Sequence, residues 1–288
     1  MPQTYLADRG VVKVAGEDAR HFLHTLVTSD IEDLLPGKAR WFGLLTPQGK
    51  ILFDGLAVST PNTHGSGYLL DVARDQAEML AKRLNFYKLR AKVTVEDLSD
   101  TFGVGVIWGE APVPSDFGLT FIDPRLTALG TRIIAERDRV ALLGDQATDW
   151  HQHRIQLGVP EGGKDFAWGD AFPHEVLMDQ LEGVAFNKGC YIGQEVVSRM
   201  HHRGTARTRI VPVSFHGTPP ISGTEVTAGG KLLGTIDSVG NERALATLRL
   251  DRIGDAMTAG LAIMAGEVSL QIEKPSFIRF SFPGEPAQ

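Results

Sequence analysis

The sequence is short of three things, and each shortage narrows what the chain can be. It holds a single cysteine, Cys190, among 288 residues, so no disulfide can form within it. Thiols persist in reducing compartments, and a cytoplasmic location is expected on that ground. A lone thiol also cannot hold a zinc or iron–sulfur centre, which takes about four protein ligands. No run approaches the roughly 18–20 apolar residues of a membrane-crossing helix, so no membrane association is expected. The start, Met1 to Arg9, lacks an apolar core and leads straight into the strand pattern Val11-Val12-Lys13-Val14, which argues against a cleaved signal. Positive charge is also scarce: the formal net charge is −6, which excludes general nucleic-acid coating but leaves room for a local basic patch.

What is present fits a globular protein of two or three domains, with 42% hydrophobic and 22% charged residues. Ala19, Phe22, Leu23 and Leu26 follow helical spacing and predict a helix near 17–27; Ala77, Leu80, Ala81 and Leu84 predict a second. Between them, Arg40–Leu45 and Ile51–Ser59 read as strands joined by a Pro47/Gly49 turn, a hairpin. Further strands are expected at 67–72, 92–96 and 102–108, a surface loop at 110–118, and a helix near 146–157. The Gly-rich polar stretch 158–170 is expected to cross the surface. From Arg207 onward, short apolar runs at 210–215, 231–236, 244–250 and 267–272 alternate with Gly and Pro, which predicts an all-β barrel or sandwich.

Four features could carry chemistry. Cys190 follows Lys188-Gly189 and precedes Tyr191-Ile192-Gly193 and a helix carrying Val196, Val197 and Met200. A nearby ammonium and a helix start both favour a thiolate, whereas the plain alternative is a small buried side chain. The same glycines could instead expose backbone N–H groups to an anion. Between Glu195 and Glu225 there is no acid, but there are Arg199, Arg203, Arg207, Arg209, His201, His202 and His216. Such a stretch suits an anionic ligand or partner, with tRNA as one possibility. His201 and His202 are adjacent and point apart on a helix, so no stable metal site is expected. Asp54 shares a strand face with Leu52 and Leu56 and therefore needs a polar partner or a ligand.

The run Lys188-Gly189-Cys190-Tyr191-Ile192-Gly193-Gln194-Glu195, continued by Val196-Val197-Ser198-Arg199 and His201-His202-Arg203-Gly204, resembles the signature of the YgfZ family. Pro173-His174-Glu175 and Gly183-Val184-Ala185-Phe186 resemble the approach to it. That family is similar to the T-protein aminomethyltransferase of glycine cleavage. The resemblance implies an α+β, three-lobed cloverleaf with a C-terminal β-barrel, drawn here as lobes 1–98, 99–204 and 205–288. It implies tetrahydrofolate as cofactor and iron–sulfur client proteins or assembly factors as partners, with an indirect effect on tRNA modification. The implied folate contacts are Asp54, Gln156, Glu175, Gly189, Tyr191, Gly193, Gln194, Glu195 and Arg199; Cys190, Lys188 and Asp54 are the implied reactive residues. Gln156 stands where the transferase segment resembling His153–Gly158 supplies a glutamate. An amide offers one acceptor and one donor in place of two acceptors, which counts against a true aminomethyl or other one-carbon transferase.

Overall fold

The computed structural model describes residues 2–61, 67–110, 112–113, 116–204 and 206–282. The chain forms two compact units, Met1–Trp150 with Leu181–Val196, and His151–Gln180 with Val197–Gln288.

The first unit holds two antiparallel sheets. One comprises β1 (Gln3–Leu6), β7 (Phe102–Ile107), β8 (Leu119–Ile122) and β9 (Thr131–Glu136) in the order β1-β7-β9-β8. The other comprises β2 (Arg9–Ala15), β3 (Ala39–Leu45), β4 (Ile51–Thr60), β5 (Gly67–Ala73) and β6 (Thr94–Asp97) in the order β3-β4-β5-β2-β6. Helices α1 (Ala19–Leu26) and α2 (Arg74–Tyr87) bury the apolar stripes read from their spacing, packing Phe22, Leu23, Leu80 and Leu84 with Val12, Phe42, Phe53 and Leu70. A short helix, α3 (Arg137–Val140), buries Val140 with Ile107, Ile133 and Leu143. The expected hairpin forms between β3 and β4: Thr46 N donates to Lys50 O at 2.8 Å and Gly49 adopts φ +84°. Of the loop expected at 110–118, Pro112 and Val113 are exposed, while Pro114 lies outside the described residues.

Helices α4 (Ala147–Gln156) and α5 (Gln194–Arg203) begin in the first unit and end in the second. The second unit contains a closed six-stranded barrel, ordered β10-β13-β12-β11-β14-β15. Its strands are β10 (Thr208–Phe215), β11 (Glu225–Ala228), β12 (Lys231–Val239), β13 (Arg243–Arg249), β14 (Ile263–Ala265) and β15 (Val268–Ile272), with helix α6 (Leu250–Thr258) packing Ile253 into the barrel core. The stretch 158–170 departs from the expected surface crossing. Glu161 and Asp165 are buried in it, because Arg154 of α4 is itself buried and needs counter-charge. Arg154 Nη1 donates to Asp165 Oδ2 at 2.6 Å and Nε lies 3.1 Å from Glu161 Oε2.

The two sheets of the first unit share a buried ladder of charges. Arg9 Nε donates to Asp71 Oδ1 at 2.6 Å and Arg132 Nη1 to Asp71 Oδ2 at 3.1 Å. Arg132 Nε continues to Asp123 Oδ2 at 3.2 Å, and Arg125 holds the same carboxylate with Nε at 3.0 Å and Nη2 at 2.8 Å. Burial alone raises the Asp123 carboxyl, but Arg125 and then Arg132 outweigh it and hold the group at about 2. Ionised buried groups of this kind are stable only while every partner is present. Asp71→Ala leaves Arg9 and Arg132 buried beside a missing carboxylate, and a loss of about 3–5 kcal/mol is expected. Urea unfolding of the variant measures it; a loss under about 1 kcal/mol contradicts the ladder's structural role.

Candidate functional site

The segment carrying the single thiol is docked on the carboxyl end of α1. Thr28, just past that helix, organises the approach: its hydroxyl accepts from Gly43 N at 2.8 Å and donates to Gly183 O at 2.6 Å. Ala185 N then donates to Thr28 O at 2.9 Å. Lys188 completes the docking. Its Nζ donates to the carbonyls of His24, Val27 and Ser29 at 2.5, 2.7 and 2.9 Å. The His24 carbonyl is one that the end of a helix leaves unsatisfied, at the negative pole of its dipole, and Val27 and Ser29 follow α1 in the chain. An ammonium has three donors, so all three are committed to the backbone. The role expected for Lys188, direct support of a thiolate, is replaced in the geometry by anchoring of the segment next to the thiol.

Beyond the anchor, Gly189 faces open space and Cys190 is exposed, which answers the alternative of a buried, inert side chain. Tyr191 turns inward: it is buried, Lys188 Nζ lies 5.2 Å from its ring centroid, and burial pushes its hydroxyl pKa up. Gly193 adopts φ +80°, and a Cβ there would meet Thr46 O at 2.5 Å. The glycine therefore lets the start of α5 sit directly on the β3–β4 turn. Val196 packs on Gly49 of that turn, where a Cβ would come within 2.9 Å of it. Gln194 N donates to Tyr191 O at 3.3 Å, and Glu195 lies exposed in the first turn of α5. The thiol is thus an exposed tip between two fixed points, Lys188 and Gly193.

Asp54 is half-buried on β4, and Trp41 Nε1 donates to its Oδ2 at 3.1 Å. The polar partner demanded by its apolar face is therefore found. Trp41 in turn lies under Arg125, 5.9 Å from its ring centroid, so the ladder reaches Asp54 through one indole.

In the second unit Gln156 ends α4 with its side chain exposed, and its backbone oxygen accepts from Arg243 Nη1 at 2.7 Å. Glu175 Oε2 accepts from Phe172 N at 2.9 Å. Of the cations expected to receive an anion, Arg199, Arg203 and Arg207 are exposed but Arg209 is buried. Arg209 grips Asp179 through Nη1 at 2.8 Å and Nη2 at 2.9 Å, and stacks 4.3 Å from the Phe280 ring centroid, so it serves the fold. His174 is held neutral, mainly by burial, at about 4.

The residues implied for tetrahydrofolate do not fit it equally. Asp54 is a positioned, half-buried carboxylate of the kind a pterin N–H could use. Gln156 is an exposed amide in place of a carboxylate, and does not fit. The residues that the sequence reading missed are the ladder's Arg9, Asp71, Asp123, Arg125 and Arg132. Asp71 carried the same signal as Asp54, a charge inside the apolar run Tyr68-Leu69-Leu70-Asp71-Val72.

Residues 207–280 match the family of CAF17 C-terminal β-barrel domains. The chain is 34% identical over 282 residues to the mitochondrial iron–sulfur cluster assembly factor IBA57 of Mus musculus, covering 86% of this chain and 77% of that protein. The identity to the human protein is 34% over 276 residues, with the same two shares. It is 36% over 231 residues to the mitochondrial homolog of Mycosarcoma maydis, where the match takes in 74% of this chain but only 57% of the relative. Among solved structures, aminomethyltransferase T of the glycine cleavage system from Bartonella henselae superposes with a TM-score of 0.74 at 15% identity, over 96% of this chain and 86% of that one. The expected α+β, aminomethyltransferase-like fold with a C-terminal barrel is borne out. The expected cytoplasmic location is not, because these relatives are mitochondrial proteins. A lone cysteine excludes an internal disulfide, and that does not choose among reducing compartments. Among the described residues no helix is long and apolar enough to cross a membrane.

Burial lowers the Lys188 ammonium from 10.5 to about 8, and Asp30 and Glu32 oppose the shift. Lysine-selective NMR should therefore find one ammonium titrating near pH 8, absent from Lys188→Met. Between about pH 8 and 10 the unfolded chain binds more protons at this residue, so its contribution to stability rises with pH. Titration of every lysine near its ordinary value contradicts the desolvation of this ammonium.

Proposed function

The chain belongs to the IBA57 family of iron–sulfur cluster assembly factors, and from that membership we propose that it assists cluster assembly on client proteins with Cys190 as its single cluster ligand. The observation that carries the reading is the exposure of the chain's one thiol on a segment fixed at both ends. A [2Fe–2S] or [4Fe–4S] cluster takes about four cysteine ligands, and this chain supplies one. The cluster is therefore cargo shared with a partner that brings the remaining ligands, and it leaves with that partner or its client. Exposure is what such sharing requires. Lys188 acts at a distance of two residues, by holding the backbone from which the thiol projects.

In cells lacking the chain, Cys190→Ala produced at the normal level is expected to leave iron–sulfur client enzymes inactive, while the parent sequence restores them. Restoration by Cys190→Ala as complete as by the parent removes the thiol from the mechanism.

A second reading concerns the ligand. The positioned Asp54 carboxylate supports tetrahydrofolate binding, and the mismatch at Gln156 is expected to weaken it by about 1–3 kcal/mol relative to a site with two carboxylates. In anaerobic calorimetry, Asp54→Ala should weaken tetrahydrofolate binding and Gln156→Glu should strengthen it. Identical isotherms for parent and Asp54→Ala count against this ligand site.

A further inference from the structure

A cleft of about 320 Å³ opens in the first unit between the loop entering β3 and the segment following β8. It plays no part in presenting Cys190 or Asp54. Its size lies near the lower end of the range for small-molecule pockets, roughly 300–1,000 Å³. Arg40, the second residue of β3, lines it together with Lys38, Asp33 and Asp123.

Arg40 stands out: Arg209 also has an unpartnered buried Nε, but its guanidinium is gripped by Asp179. By strand alternation the Arg40 side chain shares a face with Phe42 and Leu44, and the residue itself is half-buried. Its Nε is buried and has no hydrogen-bond partner among the described residues. A buried guanidinium N–H left without an acceptor is costly, and structures rarely keep one without a reason. The buried acid of the cleft wall, Asp123, is already committed. Asp123 already accepts from Arg125 N at 3.1 Å, Arg125 Nε at 3.0 Å, Arg125 Nη2 at 2.8 Å and Arg132 Nε at 3.2 Å. Those four donors fill the roughly four acceptor positions of a carboxylate. Behind it the ladder holds that carboxylate through Arg125 and Arg132. Lys38 and Asp33 also line the cleft and are both exposed.

The lips of the cleft are apolar. Leu35 is 66% exposed and Ile122 is 55% exposed, both large side chains lining the same opening. A ligand that satisfies the cleft therefore needs an oxyanion for Arg40 and Lys38 and a hydrocarbon body for Leu35 and Ile122. We propose that this cleft binds a small organic carboxylate with a short apolar body, its carboxylate held by Arg40 and steered by Lys38. An Arg–carboxylate contact is charge-assisted and can be bidentate, so Arg40 sets the orientation.

The test is an NMR titration of the full chain with sodium butyrate, with sodium chloride at matched ionic strength and inorganic phosphate as comparisons. One arginine Nε–H signal, assigned by its absence from Arg40→Met, should shift saturably with butyrate and not with chloride. Read from the Gly37 and Ile122 amides, Arg40→Met should weaken butyrate binding about tenfold or more. Lys38→Met, at an exposed position that does not burden folding, should weaken it several-fold. The proposal is overturned if the Arg40 signal does not respond, if chloride moves it equally, or if Lys38→Met binds as the parent does. Tighter binding of phosphate than of butyrate also overturns it, because the apolar lips would then contribute nothing.

Discussion

The first unit depends on the ladder Arg9–Asp71–Arg132–Asp123–Arg125, five charges removed from water between two sheets. An interior of this kind is a poor source of net stability, because desolvation consumes much of the Coulomb gain. Its effect is on geometry. Each carboxylate has two guanidinium partners, and any displacement of one sheet against the other breaks a buried pair. Arg132 also lies over Trp150 at 5.1 Å from its ring centroid, and Arg125 faces Trp41, so the ladder is flanked by aromatic rings. Through Trp41 it fixes the carboxylate of Asp54, and its Asp123 forms part of one wall of the Arg40 cleft.

The thiol segment obeys the opposite economy. Lys188, Gly193 and Thr28 fasten it to α1 and to the β3–β4 turn, while Cys190 itself projects into solvent. Rigid support under an exposed thiol suits the handover proposed for it, because the thiol is free of its own fold. Fastening through Lys188 also explains why the lysine and the cysteine stand two residues apart. One residue reaches inward to helix carbonyls, the next is an open glycine, and the third points out.

Much of this was legible in the residues. The apolar spacing of α1 and α2, the Pro–Gly hairpin and the longer barrel strands were readable because each is a local pattern. The short strands β1, β8, β9, β11 and β14 were not, although β6 and β15, of similar length, were. The ladder escaped for a different reason: Arg9 and Arg132 meet Asp71 across 62 and 61 residues of chain, and no local rule pairs them. Asp54 and Asp71 gave the same signal within their strands, and only the fold distinguishes a carboxylate held by an indole from one locked between two arginines. Arg209 looked like part of a free basic stretch because its partner, Asp179, lies 30 residues upstream. Of the two glycines beside Cys190 only Gly193 makes a close backbone approach, to the turn at Thr46–Gly49, while Gly189 faces open space, and the sequence around them does not tell the two apart.

The claim that Cys190 is one ligand of a shared cluster is tested most directly by anaerobic Mössbauer spectroscopy. The chain is mixed with a cluster-carrying scaffold protein loaded with iron-57, and the mixture is compared with one containing Cys190→Ser. The account predicts a cluster in the complex whose iron sites change when the Cys190 sulfur is replaced by oxygen, and no stable cluster on this chain alone. Identical spectra from the two mixtures, with the complex formed in both, would contradict it.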